Sequence, residues 1–427
     1  MLKRFLILSC LFLCLADVPV RAGEPALPYY PLRIKDIRIF GNDHIHSYIL
    51  LRAIPFALAD TLDDTKLAQA HDNIRRVPGV DYSDINVSYL PRDSSITLTL
   101  MITERSTFNG RPLYQRGQQN KFSFGLELWE KNFRGHSETL SGFFLLRGNT
   151  VAGLLWENPW LGSGPRVGAG LDFWYKKYLY VYDDAGPVYR DASIERFGSR
   201  FRLFYEPGGN GRITLAGGVE TVHSPVSGLT VEDGRDTYAT VSVNYRYDSR
   251  SDHIYPFQGL YIETGAEEVG PGSNRISVHE AKVNLRAFQN LGSRSIVALQ
   301  GRLRHRDGDP IPIYRREHLG GSRTLRGFEY GKFHGASSII TSLEGRLPIN
   351  FSKERPASDV LLGFAWHLFA DAGTAWDRNQ DLAIRNFHGS FGVGCLLFSK
   401  AGNGLRLDYG WRLDGPGRFE LDVGMKF

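Results

Sequence analysis

Phe419-Glu420-Leu421-Asp422-Val423-Gly424-Met425-Lys426-Phe427 is the stretch on which the fold turns. Successive side chains of an extended strand point to opposite faces. Phe419, Leu421, Val423, Met425 and Phe427 therefore share one side, and Glu420, Asp422, Gly424 and Lys426 share the other. Upstream, Phe122–Leu128, Thr240–Tyr247, Leu260–Ala266 and Val283–Phe288 alternate in the same way, with Gly, Asn, Asp and Pro between such segments. The pattern holds from about residue 106 to residue 427, with no helical segment and no compositional break. At about ten residues per tilted membrane strand plus turns, that length predicts about sixteen strands. Lipid cannot satisfy an open sheet edge, so a spanning sheet must close on itself. The expectation is a mainly β protein whose larger part is a transmembrane antiparallel β-barrel. The contrary reading is a secreted soluble β-protein, which would fold its alternation into units with the apolar faces of both sheets turned inward. Trp129, Trp156, Trp160, Trp174, Tyr175, Tyr178 and Tyr180, near strand ends, are expected as interface girdles.

Composition removes other classes. Hydrophobic residues are 42% of the 427, and mean hydropathy is -0.27, too polar for a helical membrane bundle. Beyond the N-terminus no uninterrupted apolar run reaches the roughly 18 residues of a spanning helix. The formal charge of +5 is small for this length and the arginines are spread out, so no nucleic-acid partner is expected. Residues 1–22 read as a secretory signal peptide: Lys3 and Arg4 are the charged end, Phe5–Ala16 the apolar stretch, and Val20-Arg21-Ala22 the cleavage site. Cys10 and Cys14 fall inside it, which leaves Cys395 alone and predicts no intrachain disulfide.

Residues 23–31 are Pro-rich and read as a linker. A compact unit follows over 32–105. Ile37 and Ile39 alternate up to a Gly41-Asn42 turn, and Ile45–Ala53 suits a short helix. Asp63 is a candidate N-cap for a second helix carrying Leu67, Ala70, His71 and Ile74, which Pro78-Gly79 ends. Ile85, Val87 and Tyr89, then Ile96, Leu98, Leu100 and Ile102, read as strands around a Pro91–Ser95 turn. Strand, helix, helix, strand, strand is a small α+β domain with helices over one face of a sheet.

Between strand-like segments at roughly 294–305 and 338–349 lies Glu317-His318-Leu319-Gly320-Gly321-Ser322-Arg323-Thr324-Leu325-Arg326-Gly327-Phe328-Glu329-Tyr330-Gly331. Loops beyond about 15 residues are uncommon and are usually functional or disordered. This one interleaves glycines with Arg, Leu and Phe, so it can both turn tightly and pack. It is expected to fold against another part of the chain.

With these residues in view, the chain resembles the BamA/TamA superfamily of outer-membrane β-barrels preceded by POTRA domains. Residues 32–105 look like a single POTRA domain. Asn132-Phe133-Arg134-Gly135 resembles the family's turn between its second and third strands. Tyr247-Asp248-Ser249-Arg250 followed by Pro256-Phe257-Gln258-Gly259 resembles a mid-barrel signature. Leu325-Arg326-Gly327-Phe328 matches the inturned-loop motif, and Phe369-Ala370-Asp371-Ala372-Gly373 the strand motif after it. The resemblance implies that Arg326 lies inside the barrel and pairs with Glu344 and Asp371 on its wall. Arg offers a rigid fork of donors to carboxylates, and Gly327 permits backbone geometry that a Cβ forbids.

The resemblance also implies an outer-membrane location with the POTRA domain in the periplasm, and insertion or export of client proteins. Expected partners are the outer-membrane lipid bilayer, unfolded outer-membrane or secreted clients, and periplasmic chaperones or accessory proteins. The barrel seam would join a first strand at about 106–116 to the last at 418–427, which carries Phe419, Leu421, Val423, Met425 and Phe427. Gly110 and Pro112 make the first strand poor, because Pro cannot donate to a ladder. Such a seam could open sideways and take client strands by main-chain hydrogen bonds. Two other readings are a dedicated secretion pore of two-partner type, whose kind usually carries two POTRA domains and a plug helix, and a passive porin or structural barrel.

No enzyme is expected and no cofactor. Gly135-His136-Ser137-Glu138 lacks the frame of a nucleophile elbow. Gly392-x-Gly394 lacks the third glycine of a dinucleotide site. No His pair has zinc spacing with a third ligand, and His44, His46 and His334 read as surface residues. Single-POTRA relatives with a patatin-type hydrolase carry it upstream, where this sequence shows only signal and linker.

Overall fold

In the computed structural model the described residues are 32–116, 122–162, 166–180, 192–207, 210–252, 255–273, 275–292, 295–349, 361–377, 382–399 and 404–423. The expected signal peptide (1–22), the linker (23–31), Met425 and Phe427 lie outside them, as does the side chain of Val423. Contacts divide the chain between Glu104 and Arg105, except that residues 43–49 group with the larger unit.

In the small unit, β1 (Leu32–Phe40), β2 (Thr61–Leu62), β3 (Val80–Leu90) and β4 (Ser95–Glu104) form a sheet in the order β2-β1-β4-β3. β1 runs parallel to β4, and the other pairs are antiparallel. Helices Ser47–Ala53 and Asp64–Arg75 come between β1 and β3 in the chain. Asp63 caps the second helix: its carboxylate accepts from the Lys66 N–H at 2.7 Å, which satisfies a donor the first turn leaves open. Ile96, Leu98, Leu100 and Ile102 are buried at alternate positions of β4, and Ala70 and Ile74 of that helix are buried with them. The one element the periodicity did not predict is β2, whose two residues are too few to alternate.

The larger unit begins with β5 (Phe108–Arg116), β6 (Phe122–Phe133), β7 (Glu138–Arg147), β8 (Thr150–Asn158), β9 (Val167–Tyr180) and β10 (Ala192–Tyr205). β11 (Gly211–His223), β12 (Arg235–Asp248), β13 (Gly259–Val269), β14 (Val278–Asn290) and β15 (Ile296–Gly308) continue it. A short pair, β16 (Glu317–Leu319) and β17 (Phe333–Gly335), belongs to the long loop. β18 (Ser337–Pro348), β19 (Leu361–Trp376), β20 (His388–Ser399), β21 (Gly404–Arg412) and β22 (Gly415–Val423) complete the wall. The wall is one antiparallel sheet of 16 strands in chain order, with β15 pairing directly to β18, and it forms a nearly closed barrel. β5 and β22 stand at its two ends, and no backbone ladder joins them among the described residues.

The faces of this sheet are inverted relative to a soluble protein. Leu154, Phe197 and Leu368 are 60%, 58% and 62% exposed on the outside, whereas Gln300, Ser342, Asp408 and Glu420 are covered on the inside. An apolar exterior around a polar interior is what lipid demands of a spanning barrel. The expected girdle is only partly there. Trp156 keeps the outward parity of Leu154, and its Nε1 donates to Glu138 Oε2 at 3.4 Å. Trp174 turns inward because its neighbour Phe173 is exposed outside, 47%. Its ring lies between Lys176 and Arg200, 5.9 and 5.4 Å from the two cations, in space that a Cβ on Gly198 would fill. Trp129 shares its face with Glu127, the partner of Arg111, and Tyr178 shares the inward parity of Trp174. The side chain of Tyr180 lies outside the described residues.

Candidate functional site

The loop leaves β15 at Gly308 and rejoins the wall at Ser337. Its stem is the β16–β17 pair, with His318 opposite His334. Beyond the stem the tip folds on itself: the Gly320 N–H donates to Thr324 Oγ1 at 2.8 Å and the Gly321 N–H to the Phe328 carbonyl at 3.0 Å. Leu319, Leu325 and Phe328 pack with Ile340 of β18 in a fully covered cluster. Leu325 and Phe328 therefore draw the residues between them toward the wall, and Arg326 is carried into it.

Arg326 is wholly buried. Its Nε and Nη2 donate to Oδ2 and Oδ1 of Asp371, both at 2.7 Å, and its backbone N–H donates to the same Oδ2 at 3.1 Å. Nη1 donates to Glu344 Oε1 at 2.5 Å, and the guanidinium carbon lies 3.6 Å from the centre of the Phe369 ring. Burial works against the charge on Arg326, but Asp371 and Glu344 outweigh it and hold its pKa above the ordinary arginine value. Gly327 follows with a φ of +85°, and a Cβ there would lie 2.8 Å from the Gly410 carbonyl oxygen. Its N–H donates to Glu420 Oε1 of β22 at 3.0 Å.

The acids around Arg326 have further partners. Glu344 Oε2 accepts from Nε and Nη2 of Arg346, at 3.0 and 2.8 Å. Asp408 Oδ2 lies 3.8 Å from Arg326 Nη1 and 3.0 Å from Arg406 Nε, while its Oδ1 is 2.8 Å from His367 Nε2. Those groups come from β19 and β21 and meet over β20, where the facing residues are Gly392 and Gly394. A Cβ on Gly394 would lie 2.2 Å from Asp408 Oδ1, and one on Gly392 would lie 2.4 Å from the Phe369 ring. That is the structural use of the Gly-x-Gly pair. The tip also reaches the last strand: Ser322 Oγ and Arg323 Nε each donate to Asp422 Oδ2 at 3.2 Å, and Arg418 pairs with Glu329 at 3.1 Å.

A second hold lies on the leg of the loop, before the stem. Tyr314 donates its hydroxyl to Asp236 Oδ2 at 2.7 Å and stacks on Tyr238. Arg315 pairs with Glu267 at 2.8 Å and Glu220 at 3.2 Å. Glu220 also accepts from Arg196 Nε at 2.5 Å and from the Tyr238 hydroxyl at 3.1 Å. Ile194, Val222 and Val278 surround Tyr314, so this hold is set in apolar contacts.

Of the residues singled out in the sequence, Leu325, Arg326, Gly327, Phe328, Glu344 and Asp371 converge here. Gly110 and Pro112 lie elsewhere, paired to Leu128 and Leu126 of β6. Phe419 and Leu421 point outward, 59% and 38% exposed, while their neighbours Glu420 and Asp422 join the site. Sequence reasoning missed Arg346, His367, Arg406 and Asp408, and the whole leg hold. A signal existed for some of them: Leu405-Arg406-Leu407-Asp408 sets charges at alternate positions of a strand whose other face is apolar.

Residues 114–427 match the Omp85 superfamily domain. The fold is similar to that of BamA from Haemophilus ducreyi lacking POTRA domains 1-3, with a TM-score of 0.65 and 16% identity, covering 95% of this chain and 85% of that one. It is also similar to CdiB from Escherichia coli, with a TM-score of 0.64 and 14% identity, covering 92% of this chain and 76% of that one. A SAM50-like protein of Drosophila melanogaster is 24% identical over 168 residues, which is 35% of this chain and 35% of that relative's length.

Proposed function

The chain belongs to the Omp85 superfamily, and from that premise we propose that it inserts or exports client proteins at the outer membrane through a seam between β5 and β22 that opens sideways. The observation that carries this reading is the asymmetry of the seam. Both strands end the ladder, and unpaired edge groups are a template for an incoming strand. β22 is gripped from inside by the loop tip through Glu420, Asp422 and Arg418. β5 is tied to β6 by its ladder and by Arg111–Glu127 at 2.6 Å, and it carries Pro112, which has no N–H to donate. In this proposal the Arg326 cluster fixes the tip, the tip fixes β22, and β5 is the side that swings. The small α+β unit acts as a periplasmic POTRA domain that offers its sheet edge to extended clients, and residues 1–22 direct export. The steps are main-chain pairing and release, which use no cofactor and no bond-breaking chemistry. A loop held at both leg and tip inside the barrel supports a gated function over a passive porin.

The test is a cysteine pair placed across the β5–β22 seam in a Cys395→Ser background. The oxidised barrel should keep its heat-sensitive gel mobility yet fail to restore the outer membrane of cells depleted of the native protein, and reductant should restore it. Full function with the seam locked would sink lateral opening. Loss of many barrel proteins on depletion favours insertion, and loss of one secreted protein favours the two-partner pore. An unchanged inventory would leave the passive barrel.

A further inference from the structure

Away from Arg326 the inner wall is not charge-balanced. On β14 and β15 and beside them, Arg304 is paired with Glu280 at 3.1 Å and Glu317 at 2.9 Å, Lys282 with Glu263 at 2.8 Å, and Arg250 with Asp248 at 2.8 Å. Arg286 and Arg302 have no carboxylate partner among the described residues. Arg286 Nε reaches Asn284 Oδ1 at 3.5 Å, and Arg302 Nη1 reaches the Arg323 carbonyl at 3.3 Å, both at the weak end of hydrogen-bond range. Asn284 lies directly across the ladder from Arg302, and Arg286 is next on the same face of β14. All three line a cavity of about 180 Å³. That is far more than one water needs.

We propose that this cavity binds an oxyanion, a carboxylate or a phosphate, between the guanidinium groups of Arg286 and Arg302 and the amide of Asn284. Two like charges on adjacent strands repel, and an opposite charge between them removes that cost. Guanidinium forks match the paired oxygens of such groups. Asn284 turns its oxygen to Arg286 Nε and to Gln300 Nε2, at 3.3 Å from the latter, which leaves its NH2 group to donate. Glu263 does not fill the place, because Lys282 and the Tyr261 hydroxyl hold it at 2.8 and 3.0 Å. Arg286 is itself positioned over the Tyr261 ring at 4.8 Å. Leu285 and Leu303, the intervening residues, are exposed on the outside, so the site faces the barrel interior and not lipid. Its ligand therefore arrives either as a free ion or as an acidic side chain of a polypeptide inside the barrel. The site stands whether or not the seam opens.

Calorimetric titration of the full-length protein in detergent micelles, with inorganic phosphate and separately with a tetraglutamate peptide, tests this. Saturable binding is expected, weakened roughly tenfold or more in Arg286→Gln/Arg302→Gln. Arg302→Lys, which keeps the charge and loses the fork, should fall between. Heat-sensitive gel mobility reports folding, and the single Arg→Gln variants are read if the double variant does not fold. Binding of phosphate assigns a small-ion site, and binding of the peptide alone assigns a polypeptide side chain. Absence of saturable binding of both probes, or binding unaltered by Arg→Gln substitution, overturns the proposal.

Discussion

The tip and the leg of the inturned loop are both pinned to the barrel wall by an arginine, but by different physics. At the tip, Arg326, Arg346 and Arg406 face Glu344, Asp371 and Asp408, all at most 3% exposed, so charge is matched by charge with water shut out. At the leg, Arg315 shares Glu220 with Arg196 and Tyr238, has Glu267 in addition, and sits beside an aromatic stack in an apolar cluster. A dry, stoichiometric cluster is sensitive to the loss of any member, because a buried charge left alone is far costlier than the pair was worth. A shared, partly apolar hold passes the loss to its neighbours.

The sharpest way to break this comparison is Arg326→Ala against Arg315→Ala. Removing Arg326 takes the guanidinium fork from Asp371 and one donor from Glu344 in a buried wall, and should cost about 3–5 kcal/mol. Removing Arg315 leaves Glu220 with Arg196 and should cost about 1–2 kcal/mol. Urea midpoints of the folded, heat-sensitive species in micelles measure both, and equal losses would mean the two holds do not differ in kind. Between these falls Gly327→Ala. It forces an alanine to a φ of +85° against the Gly410 backbone, for an expected loss of about 1–3 kcal/mol. Gly327→Ala should also loosen β22, because the displaced N–H serves Glu420, and faster amide exchange in β22 than in β18 would show it.

The two holds were also unequally legible. The barrel could be read because a period of two sustained over roughly 320 residues has few other solutions. The long loop by itself showed only a segment that must pack, and the place of Arg326 came from the resemblance of Leu325-Arg326-Gly327-Phe328 to the family's inturned-loop motif. The leg was not legible. Tyr314 and Arg315 have no unusual local pattern, and their partners Asp236, Glu220 and Glu267 lie on three strands whose adjacency exists only once the sheet is formed. Arg346 and Asp408 were hidden for a related reason: an alternating charge looks the same whether it faces an aqueous interior or a dry ion-pair cluster. Aromatic character alone suggests the girdle for Trp174, but strand parity decides its side. Phe173 outside forces Trp174 inside.

The smallest expected effect near neutral pH lies in the stem, between the two holds. Burial, reinforced by His334 across the β16–β17 pair, pushes the His318 pKa down to about 4, with Arg316 and Arg306 adding to the effect and Glu317 opposing it. The free imidazole titrates near 6.5. The unfolded loop therefore takes up a proton at a pH where the folded stem does not. The stabilising contribution is complete above about pH 6.5 and is lost as pH falls toward about 4, amounting to less than about 1 kcal/mol at pH 6. Protease sensitivity of the loop should rise as pH drops through that window. His318→Gln, which cannot take a proton, should flatten the rise without touching the Arg326 or Arg315 contacts. Glu317, held below the ordinary value by Arg304 and Arg306, contributes stability that is present above about pH 4.5 and is lost as pH falls from there, so the His318 response, which begins near pH 6.5, comes first. A response between about pH 6.5 and about pH 5 that is identical in wild type and His318→Gln would show that His318 is not the acid-sensitive group of the stem.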